Sequence, residues 1–316
     1  MHEPECFYGF RKPNTPAGCH RNGCFFKRRV KLKRTVKGIF CALYLFMSVI
    51  IFEQCALAGS VEAPGESNKA DALWVEVSGG LQYGSIDGFL QTPSGGKQGT
   101  TNHKRPTFDE LGINNVLSFD GSVDAHWEMH TLTAGVQLNR FSENSTLHDP
   151  LISQNISFPA NEHVDSDIRL DWYRFGYLYT FDFSPKDHKK TVSISPGVDI
   201  ALLDFHYELK GTKNQHVDRS YIKGAPRLLC NIDWKIFEGF DLQAIASASL
   251  PISNTPAIIN LTLVSEKQLL SKSRTVVLAY LGVAYEKIDY KDNQDVPNHV
   301  KAEMWPLVTT GLKVKF

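Results

Sequence analysis

The residues of this chain whose types and spacing suggest chemistry are histidines that stand beside carboxylates, together with serines in a predicted loop. A histidine within hydrogen-bond reach of a hydroxyl or a carboxylate can act as a general base for a nucleophile. A hydrolase or acyltransferase is therefore one hypothesis. The sets are Asp124 with His126 and His130, Asp204 with His206 and Glu208, and Ser142 with Ser145.

Two further motifs suggest bound groups, but their spacing argues against them. His126 and His130 lack the His-Glu-x-x-His order of zinc hydrolases, and on a strand residues four apart are separated by ~13 Å. Gly95 to Thr100 superficially resembles a phosphate-binding loop. The Gly-x-x-x-x-Gly-Lys-Ser/Thr spacing of such a loop is nevertheless absent. The sequence therefore predicts no cofactor, no metal ion and no assigned catalytic residue.

Strands are the elements that must position these residues, because apolar and polar residues alternate along most of the chain. No segment after residue 58 approaches the ~20 apolar residues of a spanning helix, so any membrane crossing must be by strands. Alternation over ~9–11 residues is typical of a strand between lipid and a polar lumen. The predicted strands are 72–84, 114–127, 129–141, 165–183, 190–209, 221–236, 240–250, 257–265, 274–288 and 300–316.

The last strand carries the most specific pattern. Phe316, Val314 and Leu312 fall on one face, and Lys315 and Lys313 fall on the other. This ending resembles the C-terminal strand of bacterial outer-membrane β-barrel proteins, in which a terminal Phe and alternating apolar residues form the assembly signal. The resemblance implies an outer-membrane location, recognition of this strand by the barrel-assembly machinery, and contact with outer-membrane lipids and lipopolysaccharide. For the hydrolase or acyltransferase hypothesis, it implies a membrane-embedded enzyme that modifies lipid A or lipopolysaccharide.

The same class is similar to this chain in shorter motifs. A strand in these barrels is often followed by an Asp/Glu-Leu-Gly tripeptide, which here is Glu110-Leu111-Gly112. The fold expected is all-β, a transmembrane antiparallel β-barrel with short periplasmic turns and long extracellular loops. Both chain ends then lie on one side, which requires an even number of strands. Ten strands are predicted with eight as the alternative, in which 252–272 would be a single loop with one helical turn at 265–271.

Two predicted strands change phase midway, one near Trp172 and the other near Leu203. One extra residue at each point, a β-bulge, would restore a single apolar face. A strand in a soluble core could change phase as well. A secreted β-sandwich binding module, in which two sheets bury their apolar faces against each other, therefore stays an alternative.

The first 58 residues have the order of a cleaved secretory signal peptide. A basic run from Lys27 to Lys37 is followed by the apolar segment Gly38 to Phe52 and by Ala56-Leu57-Ala58, a small-residue cleavage site. The predicted organisation is therefore an extended leader at 1–58, a short linker at 59–71 and the barrel at 72–316.

Removal of the leader changes the charge and the cysteine content. Taking away ten of the 34 basic and three of the 34 acidic residues leaves 24 and 31, a net charge of about −7. Such a chain lacks the clustered cations that bind phosphate backbones, so nucleic acid is excluded as a partner. Of six cysteines only Cys230 remains, so no disulfide within the mature chain is expected.

The polar faces of the strands predict what lines the lumen. A barrel of eight to ten strands has an interior wide enough for side chains but barely for solute. Charges of both signs would then pair across it, which indicates a structural barrel with an ion-paired lumen or a narrow passive channel. The predicted lumen residues are Glu76, Asp120, Asp124, His126, Arg169, Asp171, Arg174, Asp204, His206, Arg227, Asp233, Lys313 and Lys315.

Overall fold

The chain forms a closed antiparallel β-barrel of ten strands in a computed structural model. The structure describes residues 73–92, 105–183, 191–237, 239–272 and 274–316. Its strands are β1 (Trp74–Gln91), β2 (Asn115–Trp127), β3 (His130–Thr146), β4 (Leu151–Ser153), β5 (Ile156–Phe158), β6 (His163–Tyr179), β7 (Phe181–Phe183), β8 (Thr191–Gly211), β9 (His216–Phe237), β10 (Phe240–Ser249), β11 (Ala257–Lys272), β12 (Thr275–Lys291) and β13 (His299–Lys315).

The barrel closes where β6 pairs with β8, and its strands follow the order β6-β3-β2-β1-β13-β12-β11-β10-β9-β8. The short β7 follows β6 and also pairs with β8, while β4 and β5 form a separate hairpin between β3 and β6. Because one sheet closes on itself, the two stacked sheets of the β-sandwich alternative are wrong. The prediction of ten strands is confirmed, and 265–271 continues β11 instead of forming a helical turn.

The two ends of the barrel differ in their connections. At one end, the turn end, β2 and β3 are separated only by Glu128 and Met129, and the start of β1 meets the end of β13 where Phe316 N donates to Val75 O at 2.9 Å. At the other, the loop end, longer connections join β1 to β2 and β3 to β6. Several strands run further toward the loop end than predicted, so that only residues 212–215 separate β8 from β9.

The outer surface of the turn-end half is apolar, which is what a membrane requires. We call this surface the lipid belt. Its large side chains are exposed although they are hydrophobic, and they come from strands all around the barrel. They include Leu81, Leu117, Phe175, Ile200, Leu228, Leu261, Leu281, Val308 and Leu312.

In the loop-end half the apolar face turns inward. Phe175 in β6 and Ile200 in β8 are 60% and 58% exposed, whereas Leu170 and Phe205, further along toward the loop end, are fully buried. The register of β6 with β8 runs without a shift through this change. The β-bulges predicted near Trp172 and Leu203 are therefore wrong: the strands leave lipid and enter water, so the apolar side chains move from the outside to the inside.

A bulge does occur in β13, where the sequence analysis placed none. Trp305 and Pro306 together oppose one residue on each neighbour, because the register shifts at this point with both β1 and β12. Met304 and Leu307 are both fully buried on either side of the bulge. The inward set consequently changes from even-numbered residues before the bulge to odd-numbered residues after it.

A continuous apolar cluster, here named the cap core, fills the loop-end half of the barrel. Inward strand residues and residues of the two long connections contribute to it in one packed unit. The cluster comprises Ile86, Leu90, Phe108, Leu111, Ile113, Val116, Phe141, Leu147, Leu151, Phe158, Val164, Ile168, Leu170, Trp172, Ala201, Leu203, Phe205, Tyr207, Leu209, Val217, Ala225, Ile258, Ala284, Ile288, Val300, Ala302, Met304 and Leu307.

One helical turn in the β1–β2 connection inserts two side chains into the cap core. Thr107 N donates to Glu110 Oε2 at 3.0 Å, and Glu110 N donates to Thr107 Oγ1 at 3.2 Å, which makes a reciprocal capping box. Gly112 ends the turn at φ +75°, a conformation that a side chain would strain. Phe108 and Leu111 are left on one face of the turn, both with no exposed surface.

Several predictions fall outside the described residues: the leader at 1–58, the linker at 59–71 and the Gly95 to Thr100 motif. They stay predictions. Among the described residues no helix is long and apolar enough to cross a membrane.

Candidate functional site in the barrel lumen

The lumen of the turn-end half contains a cavity of about 420 Å³ lined by the inward side chains of the barrel strands. Nine carboxylates and five Lys or Arg side chains contribute to its wall. The surplus of carboxylates makes the cavity attractive to cations and unattractive to anions. At its loop-end side the cavity meets Trp172, which is also part of the cap core.

Lys313 is the centre of a first ion-pair cluster. Its Nζ lies 3.0 Å from Glu76 Oε1 and 2.6 Å from Glu266 Oε1, and its side chain is only 9% exposed. Lys315 Nζ lies 3.3 Å from the other oxygen of Glu76. Since β13 contributes both lysines two residues apart, its period of two places them on one inward face. Both lysines thus join β13 to β1, and Lys313 also joins it to β11, on the far side of β12.

Two arginines form a second cluster around Trp172. Arg174 donates two parallel hydrogen bonds to Asp120, at 2.9 and 3.1 Å, and Arg227 Nε donates to Asp199 Oδ1 at 2.8 Å. The guanidinium carbons of Arg227 and Arg174 lie 4.5 and 5.5 Å from the Trp172 ring centroid. Charge-assisted, planar pairing of this kind fixes the arginines in place, with the indole face as an additional partner for both.

Amide side chains separate these charges from the cap core. Asn139 Nδ2 donates to Glu286 Oε1 at 3.3 Å, and Gln137 Nε2 donates to the other oxygen of this fully buried carboxylate. Ser118 donates in turn to Asn139 Oδ1. The layer therefore crosses the lumen from β2 and β3 to β12, and it satisfies a buried carboxylate without a cation in direct contact.

The structure places the predicted lumen residues in two groups. Nine of the thirteen line the cavity, namely Glu76, Asp120, Asp124, His126, Arg174, Arg227, Asp233, Lys313 and Lys315. The other four, Arg169, Asp171, Asp204 and His206, alternate with cap-core residues of β6 and β8 and therefore point away from the cap core. Asp171 is buried there against Arg140, at 3.2 Å. Their predicted lumen position was wrong because apolar side chains fill the interior of this half and the polar face of each strand points outward.

The sequence analysis missed Glu266 and Glu286 as lumen residues. Both share the phase of the inward residues of their strands: Glu286 follows Tyr280 and Ala284 at even positions of β12. Period-two alternation could have identified Glu286. Glu266 stood in a segment for which a helical turn was an alternative, and this obscured its phase.

The histidines considered for catalysis lie in unrelated places. His126 stacks on Trp74 with ring centroids 3.6 Å apart, and its Nδ1 lies 2.8 Å from Thr131 Oγ1. His130 Nδ1 lies 2.6 Å from Tyr177 Oη. His206 is outside the lumen, on the other half of the barrel. Among the described residues, the contacts of His126 and His130 include no carboxylate that would orient either ring as a base toward a nucleophile.

No protein-family model matches this chain, and no curated protein matches it. Solved structures with a similar fold include Ail of Yersinia pestis, determined with the heparin analogue sucrose octasulfate (11% identity, 77% of this chain and 99% of that chain, TM-score 0.30). The translocator domain of the autotransporter NalP from Neisseria meningitidis is 12% identical over 88% of this chain and 98% of that chain, with a TM-score of 0.37. A FadL homologue from Pseudomonas aeruginosa is 12% identical over 78% and 90%, with a TM-score of 0.27. The likeness is one of general architecture.

Proposed function

We propose that this protein is an outer-membrane β-barrel of structural type, with a lumen that is closed to solutes. The lipid belt, the short turns at one end and the pairing of the first and last barrel strands there support a bacterial outer membrane, with the turn end in the periplasm. On this proposal the belt contacts outer-membrane lipids and lipopolysaccharide. The assembly machinery reads Leu312, Val314 and Phe316, of which Leu312 and Phe316 are 52% and 54% exposed.

The observation that carries a closed lumen is the cap core. A passive channel needs water from one end of the barrel to the other, and hydrophobic constrictions exclude it. Here Phe108, Leu111, Leu147 and Phe158 enter from the connections and are fully buried among the inward side chains of the strands. The ion pairs in the turn-end half of the lumen add a second barrier, because an ion could pass them only if buried charges separated. A barrel with this interior holds a rigid, water-exposed cap at the cell surface.

Single-channel recording in planar bilayers tests this proposal. The purified full-length barrel should give no stepwise conductance, while a general porin in the same membrane does. A steady open-channel conductance of the wild-type protein would overturn the proposal.

Two variants locate the closure. The double variant Phe108→Ser, Leu111→Ser loosens the cap core and should produce leak currents. Arg174→Ala opens only the turn-end half of the lumen and should give no conductance. The reverse result would place the closure in the ion pairs instead of the cap core.

A further inference from the structure

Three carboxylates stand opposite one another on the outer surface of the loop-end half. Asp167 of β6 is the direct register partner of Glu208 of β8, and Glu208 is the direct partner of Asp218 of β9. Like charges directly opposite each other destabilise a pair of strands. Three carboxylates in one row therefore need cationic partners. This follows from the pairing of the strands alone.

Two imidazoles lie in the same place. The ligand atoms of Asp167, His206 and Glu208 all lie within 4.8 Å of one another. His216 Nε2 lies 2.8 Å from Glu208 Oε1, and His206 Nδ1 lies 3.8 Å from Asp218 Oδ1. Neighbouring strands thus present two nitrogen and three carboxylate donors on one patch of the wall.

Two permanent cations stand beside these ligand atoms. Lys210 Nζ lies 3.1 Å from Glu208 Oε1, and Arg169 is the register partner of His206. Lys210 would therefore compete with a bound metal ion for Glu208.

We propose that Asp167, His206 and Glu208 bind a divalent zinc ion, with His216 close enough to Glu208 to complete the coordination. Zinc takes imidazole nitrogen and carboxylate oxygen together, whereas calcium and magnesium prefer oxygen ligands only. Ligand atoms around tetrahedral zinc are about 3.4 Å apart, given bond lengths near 2.1 Å. Asp167 is exposed and can move the short distance that this closure requires.

The test is titration calorimetry on the folded full barrel in detergent, purified without a polyhistidine tag and dialysed against chelator. Zinc chloride should bind at one site, and calcium chloride should give no comparable heat. His206→Gln and Asp167→Asn should each weaken zinc binding about tenfold or more, the scale at which even second-shell changes act on metal sites. His299→Gln is the matched control, because His299 Nε2 pairs with Asp289 Oδ1 of β12, at 2.9 Å, and neither residue belongs to the proposed site.

A charge variant adds a change in the opposite direction. Lys210→Gln removes the cation that competes for Glu208, so its zinc affinity should rise. Equal zinc affinity in the wild type, His206→Gln and Asp167→Asn would overturn the proposal, as would calcium binding that matches zinc binding. If His206→Gln does not fold, as judged by heat-modifiable gel mobility, Asp167→Asn decides alone, since its side chain is exposed. Conductance does not enter these measurements, so they are independent of whether the lumen is closed.

Discussion

At the scale of the residue, Arg227 and Asp199 form a deeply buried ion pair in the lumen. Their side chains are 1% and 0% exposed, and Arg227 Nη1 also donates to Ser247 Oγ at 3.1 Å. A buried pair is weak evidence for stability, because two desolvated charges gain little over apolar residues of the same size. Removal of one partner is another matter, since the remaining charge keeps its desolvation cost and loses its compensation.

Asp199→Asn should therefore lower the free energy of unfolding by about 3–5 kcal/mol. Urea titration in lipid vesicles, followed by tryptophan fluorescence, measures it. Glu303→Gln is the control: the Lys301–Glu303 pair is 4.0 Å apart with both side chains more than a third exposed, and its loss should cost under about 1 kcal/mol. Arg227→Met added to Asp199→Asn should recover stability. Equal losses for the two single variants would contradict this account.

Polar residues in the turn-end half could be placed from the sequence, because lipid on the outside and water-compatible groups on the inside make each strand alternate. The alternation alone correctly assigned Lys313 and Glu76 to the lumen. The alternation misplaced Arg169 and His206 because the apolar face was assumed to point outward along the whole strand. In the loop-end half the apolar face points inward. Which carboxylate meets which cation depends on register across the lumen, and spacing along one strand does not contain that information.

At the scale of the element, β6 and β8 are each built for two environments in sequence. β8 has 21 residues, about twice the 9–11 that a tilted strand needs to cross a bilayer. Its large apolar residues Val198, Ile200 and Leu202 stand outside, and those from Leu203 onward stand inside. Two physical causes would give the same change of phase in the sequence: an inserted residue, or a change of the solvent around the strand. Only the unbroken pairing with β6 distinguishes them.

Fluorescent labels at two even positions of β8 should report this change directly. In a Cys230→Ser background, a label at Ile200→Cys should be quenched by a nitroxide carried on a lipid chain. A label at Lys210→Cys, a position exposed on the same outer face, should be quenched by iodide in the water. Lipid quenching at both positions would mean that the outer face is apolar along the whole strand, as a bulge would have made it.

At the scale of the whole molecule, one continuous sheet encloses two different interiors. The turn-end half is apolar outside and charged inside, like a membrane barrel, and the loop-end half is polar outside with a packed apolar core, like a soluble protein. The ten-strand closed barrel could be predicted from the sequence, because apolar and polar residues alternate along the strands and an outer-membrane barrel requires an even number of them. The cap core did not, because it needs Phe108 and Phe158 from connections whose paths back into the barrel have no periodicity to read.

Two phenylalanines compare the two solvents within one protein. Phe205→Ala removes a ring from the cap core and leaves a cavity, so it should cost about 3–5 kcal/mol. Phe175→Ala removes a ring from the lipid belt, where acyl chains fill the space, so it should cost clearly less. Urea titration of both variants in the same vesicles gives the difference. A larger loss for Phe175→Ala would show that the loop-end half does not carry the packed core.

The bulge at Trp305 and Pro306 adds one residue to β13 and so changes which sequence positions face the lumen. Before it, Val300 and Met304 point inward; after it, Leu307 and Lys313 do. Deleting either of the two bulge residues would leave a single residue opposite Ser85 of β1 and Tyr285 of β12, so Met304 and Leu307 would both still point inward along a regular strand. A one-residue deletion elsewhere in β13 would instead move every side chain beyond it to the opposite face, exposing lysines to hydrocarbon or apolar cap residues to water. The bulge is therefore the point in β13 where the loss of one residue disturbs the two faces least.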